Sequence, residues 1–365
     1  MNADRARARV ECLVRVARRI QDPTDEMGHE ARARLPEVTF LTPESIELGL
    51  GEHFETRPTA EEIAALLTST TSAPICHVIM SANVFTAPLR ALALALATSD
   101  RVYVRASRRD PVITELLVRA LSEDAEFTAS GGVVQIVEMV RPEAGDELHL
   151  YGSDESIAAI TSGLPAGVIV RAHGTGIGIA VVGENVALKS AAEAIARDVG
   201  VFDQRGCLSP RFVFVEGDEG RAERFSAELH EALTRFSLRY PRGLVDAGLQ
   251  SEISQYRATM EAIGNYWEGA SHAVGFDPAP RALVLPPAAR IVHVVPMNEE
   301  KARTLLQPWI RYVTTVGADE ESGLARKMKE WLPRARWSRL GFMQRPPLDG
   351  PVDGRTVAIR IPDRR

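Results

Sequence analysis

From residue 75 onward the chain alternates short β-like apolar runs with helical periods, and that alternation constrains the fold more than any other feature. ICHVIMSA (75–82) is followed by the helical PLRALALALATS (88–99), then by RVYVRAS (101–107) and PVITELLVRALS (111–122). VVQIVEMV (133–140) and ELHLYGS (147–153) read as strands, ESIAAITSGL (155–164) as a helix and GVIVRAHG (167–174) as a strand. Parallel strands need a crossover between them, usually a helix, so this order predicts a doubly wound α/β sheet.

A second series starts near residue 177. IGIAVVG (177–183) is strand-like, residues 188–202 are helical, RFVFVEG (211–217) is a strand, and long amphipathic helices run to about residue 264. RIVHVVPM (290–297) and YVTTVG (312–317) add strands, and a Pro- and Gly-rich tail ends in VAIRIP. Three segments follow: residues 1–176, residues 177–335, and a C-terminal 336–365 that returns to the body or serves an oligomer interface. Before residue 75 the pattern predicts one helix at PTAEEIAALLTS, and ADRARARVECLVRVARRI reads as a charged surface helix.

Composition narrows the class. With 45% hydrophobic and 25% charged residues in 365, the chain has ample material for two lobes. A net charge of −6 gives no general drive toward nucleic acid or anionic membrane. The three cysteines, Cys12, Cys76 and Cys207, have neither metal-ligand nor disulfide-framework spacing, which indicates a reducing compartment and an expected cytoplasmic location.

Candidate chemistry gathers at a few turns. In FDQRGCLSP (202–210), Cys207 sits between a glycine and a Leu-Ser-Pro turn, where backbone amides and Arg205 would favour thiolate. Free cysteines are usually buried and inert, so these residues alone leave inertness and nucleophilicity evenly open. Asn83, between a strand and a helix, is either a turn residue or an amide donor to an oxyanion. Arg105, Arg108 and Arg109 end a strand at the edge where doubly wound sheets bind ligands; they form either a solvated basic turn or a phosphate clamp. HGTGIGIAV (173–181) lacks the third glycine spacing and the following helix of a dinucleotide fingerprint, and reads as a glycine-lined bend between strands.

Taken together, Asn83 after a strand, a basic residue one βα unit later, a glycine-containing turn and a lone cysteine resemble the aldehyde dehydrogenase superfamily. FDQRGCLSP, RASRRDP, YGSDESI and GFMQRPPLDGPVDGR resemble, more narrowly, its acyl-CoA reductase family, which includes the fatty-acid reductase of bacterial luminescence; the resemblance covers residues 75–356. It implies an aldehyde-dehydrogenase-like fold, with a Rossmann-type cofactor lobe and an α/β catalytic lobe carrying Cys207.

By the same resemblance Cys207 is the nucleophile, Asn83 an oxyanion donor, and Arg105, Ser107, Arg108, Gly152, Ser153 and Gly174 contact the cofactor. Arg105 replaces a usual lysine, and Arg108 lies near a position where an acidic residue favours NAD, which points to NADPH. His173 stands where hydrolytic relatives carry a glutamate that activates water, and is either a catalytic residue that supplies or accepts a proton or a hydrogen-bonded histidine at a strand end. The implied reaction is NADPH-dependent reduction of an acyl thioester, carried on CoA or an acyl-carrier protein, to an aldehyde. Aldehyde oxidation and a catalytically silent partner role are the alternatives.

Overall fold

The computed structural model describes residues 3–362. Four helices precede the first strand: α1 (Ala3–Gln21), α2 (Glu26–Thr39), α3 (Pro43–Glu52) and α4 (Ala60–Thr68). Local chemistry starts the last two. Thr42 caps α3 with Pro43 in its first turn, and Thr59 and Glu62 form a reciprocal capping box on α4. The two helices predicted before residue 75 are thus α1 and α4 of four. The N-terminal helix is also less superficial than its arginines suggest: α1 buries Val10, Leu13, Ala17 and Ile20, and even Arg9 lies inside, donating from Nε to Leu96 O.

The first sheet is built from β1 (Cys76–Ile79), α5 (Ala87–Thr98), β2 (Arg101–Arg105), α6 (Val112–Glu123), α7 (Ala125–Ala129), β3 (Val133–Ile136), β4 (Glu147–Tyr151), α8 (Asp154–Ser162) and β5 (Ile169–His173). The strand expected over 133–140 ends at Ile136. Helix α5 is apolar on nearly every side because it is buried all round, touching both α1 and β1. The parallel order β5-β4-β1-β2-β3 places a topological switch point between β1 and β4.

The second sheet comprises β6 (Ile177–Val182), α9 (Leu188–Gly200), β7 (Pro210–Glu216), α10 (Glu219–Arg239), α11 (Ala247–Ile263), β8 (Asn265–Glu268), β9 (Ala273–Phe276), β10 (Ile291–Met297), α12 (Glu299–Leu305), β11 (Val313–Ala318), α13 (Gly323–Trp331) and β12 (Arg336–Ser338). Its order is β12-β11-β6-β7-β10-β9-β8, parallel except for the β8–β9 pair. Both sheets are buried at their centres, the second by Val, Ile and Phe and the first by Val and Leu together with buried His77, Glu147 and His149, as expected of parallel strands covered on two faces. Among the described residues, no helix is long and apolar enough to cross a membrane.

Only residues 174–176 separate the C-terminal end of β5 from the N-terminal end of β6. The chain therefore brings the C-terminal edge of the first sheet against the N-terminal edge of the second. The tail then runs back across that junction. Arg90 holds it through the carbonyls of Pro346, Pro347 and Gly350, Asp198 accepts from the amides of Gly341 and Met343, and β13 (Ala358–Arg360) adds antiparallel to β5. VAIRIP thus closes on its own chain, as an edge strand of the first sheet.

Candidate active site

Cys207 is presented by an unusual backbone. Phe202, Asp203 and Gln204 are consecutive non-glycine residues with φ of 54°, 51° and 62°, a left-handed run that side chains disfavour. Each is held from outside. Phe202 packs edge-on against Phe85 and His53; the Asp203 carboxylate meets the fully buried guanidinium of Arg290 and accepts from Gly243 N; the Gln204 amide donates to Pro210 O and Ile291 O and accepts from Ile291 N. Three such residues cost on the order of several kcal/mol, and the contacts that fix them also fix the turn that follows.

β6 pairs with β7 so that Gly178 stands opposite Pro210, which lays the cysteine turn beside the 174–176 bend. This close approach explains the glycines there. A Cβ on Gly178 would come within 2.7 Å of Ser209 O, and one on Gly176 within 2.2 Å of Thr314 Cγ2 and 3.1 Å of Cys207 Cβ. Thr314 Oγ1 donates to Cys207 O and to Ile177 O, tying the turn to both neighbouring strands. From the tail, Gln344 Nε2 donates to Ser209 Oγ at 2.7 Å and to Asp198 O.

The thiol is half-buried. Burial pushes its pKa up to about 11; Asp353 adds to that rise, while Arg355 and the cysteine's own backbone N–H oppose it. The expected neighbour does not act here: Arg205 turns away and donates to Thr39 O and Leu244 O. The nearby cation is Arg355, from the tail, so the resting cysteine is a thiol rather than the thiolate that its turn residues suggest.

Asn83 follows β1 in an exposed turn, and its amide takes no hydrogen-bond partner among the described residues. The adjacent Val84 reaches the cysteine turn, since a Cβ on Gly206 would lie 3.1 Å from Val84 Cγ2. His173 ends β5, stacks face to face on Tyr151 at 4.1 Å, and lies 3.4 Å through Nδ1 from Thr356 Oγ1. Its Nε2 is buried without a partner, and burial, followed by the nearby His149, Arg171 and Arg355, holds its pKa well below the usual range. His173 is therefore a neutral imidazole.

Along the first sheet's C-terminal edge, Arg105 ends β2, Ser107 Oγ accepts from Arg109 N, and Arg108 and Arg109 are exposed. The guanidinium groups of Arg105, Arg108 and Arg109 carry no ion pair or hydrogen bond among the described residues, so they are free to meet an anion. After β4, Gly152 N already donates to His173 O, and Ser153 Oγ caps α8 by accepting from Ser156 N. Gly174 abuts Asp154, whose Oδ1 accepts the Thr175 amide, so the first turn of α8 is hydrogen-bonded to the bend.

The residues that sequence reasoning missed come mostly from afar: Thr314 on β11, and Gln344, Asp353 and Arg355 on the tail. GFMQRPPLDGPVDGR carried the resemblance, yet nothing in its local pattern said that its side chains reach the cysteine.

A family model described as acyl-CoA reductase (LuxC) matches residues 55–356. The long-chain acyl-protein thioester reductase 2 of Photobacterium leiognathi is 22% identical over 175 residues, 45% of this chain and 36% of that protein. Among solved structures, an NAD-dependent benzaldehyde dehydrogenase from Corynebacterium glutamicum superposes with a TM-score of 0.70 at 14% identity, covering 96% of this chain and 81% of that one. A variant of proline utilization A from Bradyrhizobium japonicum gives a TM-score of 0.66 at 16% identity, covering 97% of this chain and 43% of that one. The chain thus matches about a third of the length of the curated relative and less than half of proline utilization A, and the fold is that of the aldehyde dehydrogenases. The family match runs from Glu55, which pairs with Arg90, to Thr356 beside His173, and by it the chain belongs to the acyl-CoA reductase (LuxC) family.

Proposed function

We propose that the protein reduces an acyl thioester to an aldehyde through a thioacyl group on Cys207, with NADPH as the reductant. The observation that carries this reading is the cysteine turn itself: a strained, externally braced backbone at the junction of the two sheets, beside the bend that His173 leads into. The first sheet is the cofactor lobe in this reading, and the second carries the nucleophile.

Cys207 attacks the thioester carbonyl, and Asn83 with the Cys207 N–H receives the developing oxyanion. A new C–S bond forms as the bond to the carrier breaks, and the proton lost by the Cys207 thiol leaves on the carrier thiol. A reduced nicotinamide, when bound, supplies the hydride that turns the thioacyl group into an aldehyde. Cys207 then leaves as thiolate and takes up a proton from solvent. His173 contributes through what it does not do. An imidazole held neutral by burial is a weak base, so water near the thioacyl group is poorly activated and the acyl group survives to be reduced.

The residues present suit a phosphorylated dinucleotide. Arg108 and Arg109 stand unpaired in the loop after β2, where a 2′-phosphate would find charge-assisted donors, and Arg105, the last residue of β2, offers a planar fork. The carrier is CoA or an acyl-carrier protein. A panel of both carriers over several chain lengths, with NADPH consumption and aldehyde trapping as readouts, tests the reading. Thioester-dependent oxidation of NADPH with stoichiometric aldehyde is expected; NADPH that stays unoxidised with every thioester overturns it.

A further inference from the structure

The tail between β12 and β13 is pinned at several points before it reaches the site, and its last turn carries two opposite charges to the cysteine. Arg355 Nη2 and Cys207 Cβ each lie 3.1 Å from the point where a Cβ on Gly176 would stand, so the guanidinium and the cysteine flank the same glycine. Arg355 is fixed there on four sides: Nε to Asp353 Oδ1 at 2.8 Å, Nη2 to Asp353 Oδ2 at 2.6 Å, Nη2 to Thr175 O at 3.2 Å and Nη1 to Arg311 O. The neighbouring Thr356 reaches His173. Its charge partner is Asp353, so both members of this ion pair come to the cysteine turn together on the tail.

We propose that Arg355 and Asp353 act on the Cys207 sulfur as opposing charges, the first drawing out the thiolate and the second restraining it. Arg355 is then a positioning residue for the nucleophile, delivered by the C-terminal strap, and Asp353 keeps the free thiol quiet by offsetting the Arg355 charge. This rests on the reading of Cys207 as the nucleophile. It also agrees with the directions in which the two groups move the thiol, and these are the charged side chains that act on it among the described residues.

The test is the rate of iodoacetamide alkylation of Cys207 in the full chain across pH 6–10, read by peptide mass spectrometry, with the buried Cys12 and Cys76 as references. Arg355→Gln is expected to slow Cys207 labelling by about three- to tenfold at each pH of the scan, since loss of a nearby positive charge lowers the thiolate fraction by about tenfold and the higher basicity partly offsets this in nucleophilicity. Arg355→Lys should restore most of the rate. Asp353→Asn should move it the other way, to faster labelling. A purely structural role shifts the Gln and Asn variants in the same direction, and that result, or no change in either, overturns the proposal. Because alkylation needs neither thioester nor cofactor, these outcomes stand apart from whether the enzyme reduces acyl groups.

Discussion

The carboxylate of Asp203 and the guanidinium of Arg290 meet at 2.8–2.9 Å with neither side chain reaching solvent, four residues before the cysteine. The pair locks the middle of a left-handed run that the chain would otherwise relax. Arg290 also donates to Tyr240 O and Ser237 Oγ, which joins the end of α10 to the same point.

Removing Arg290 leaves Asp203 buried and unpaired, so Arg290→Ala is expected to cost about 3–5 kcal/mol in stability. Urea unfolding measures it. The Cys207 turn should loosen with it, and thioester reduction should fall more steeply than NADPH binding. A loss under about 1 kcal/mol would mean that the run at Phe202–Gln204 is not held by this pair.

Arg108 is exposed and unpaired, and its replacement should leave stability within about 0.5 kcal/mol. Arg108→Glu places a negative charge where a 2′-phosphate would sit and an acceptor where ribose hydroxyls would. The ratio of kcat/KM for NADPH over NADH is expected to fall at least about tenfold, equivalent to about 1.4 kcal/mol. An unchanged ratio would remove Arg108 from cofactor choice.

Asp198 links pH to the strap. Its buried carboxylate accepts from Gly341 N at 2.6 Å and Met343 N at 3.0 Å, yet burial outweighs these bonds and pushes its pKa up to about 7. A carboxyl whose folded pKa lies above its unfolded value of about 4 binds its proton more tightly when folded. The stability it contributes is present in full below about pH 4 and is lost as pH rises through about 7. Asp198→Asn should abolish that slope, so the variant gains on the wild type by roughly a few kcal/mol between pH 5 and pH 8 in urea unfolding. Parallel pH profiles for the two proteins would contradict the assignment.

The alternation of strands and helices from residue 75 was legible because it is local: period-2 and period-3.6 patterns need no knowledge of distant partners. The bend at HGTGIGIAV was legible as a bend for the same reason. What its glycines make room for was not, since Thr314 and Ser209 reach them through strand pairings between distant segments. Arg205 shows the converse failure. Sequence adjacency to Cys207 placed it near the thiol, but the left-handed run before it turns its side chain toward Thr39, and the cation comes instead from Arg355. The N-terminal helix misled through composition: its arginines look solvated, while its apolar face supports α5 and Arg9 follows that face inward.

The most direct test of the proposed chemistry is mass spectrometry of the protein after incubation with an acyl thioester in the absence of NADPH. An acyl mass on the peptide carrying Cys207, absent from Cys207→Ala and discharged as aldehyde when NADPH is added, is the predicted result. Wild-type-like thioester reduction by Cys207→Ala, or an adduct confined to Cys12 or Cys76, would contradict it.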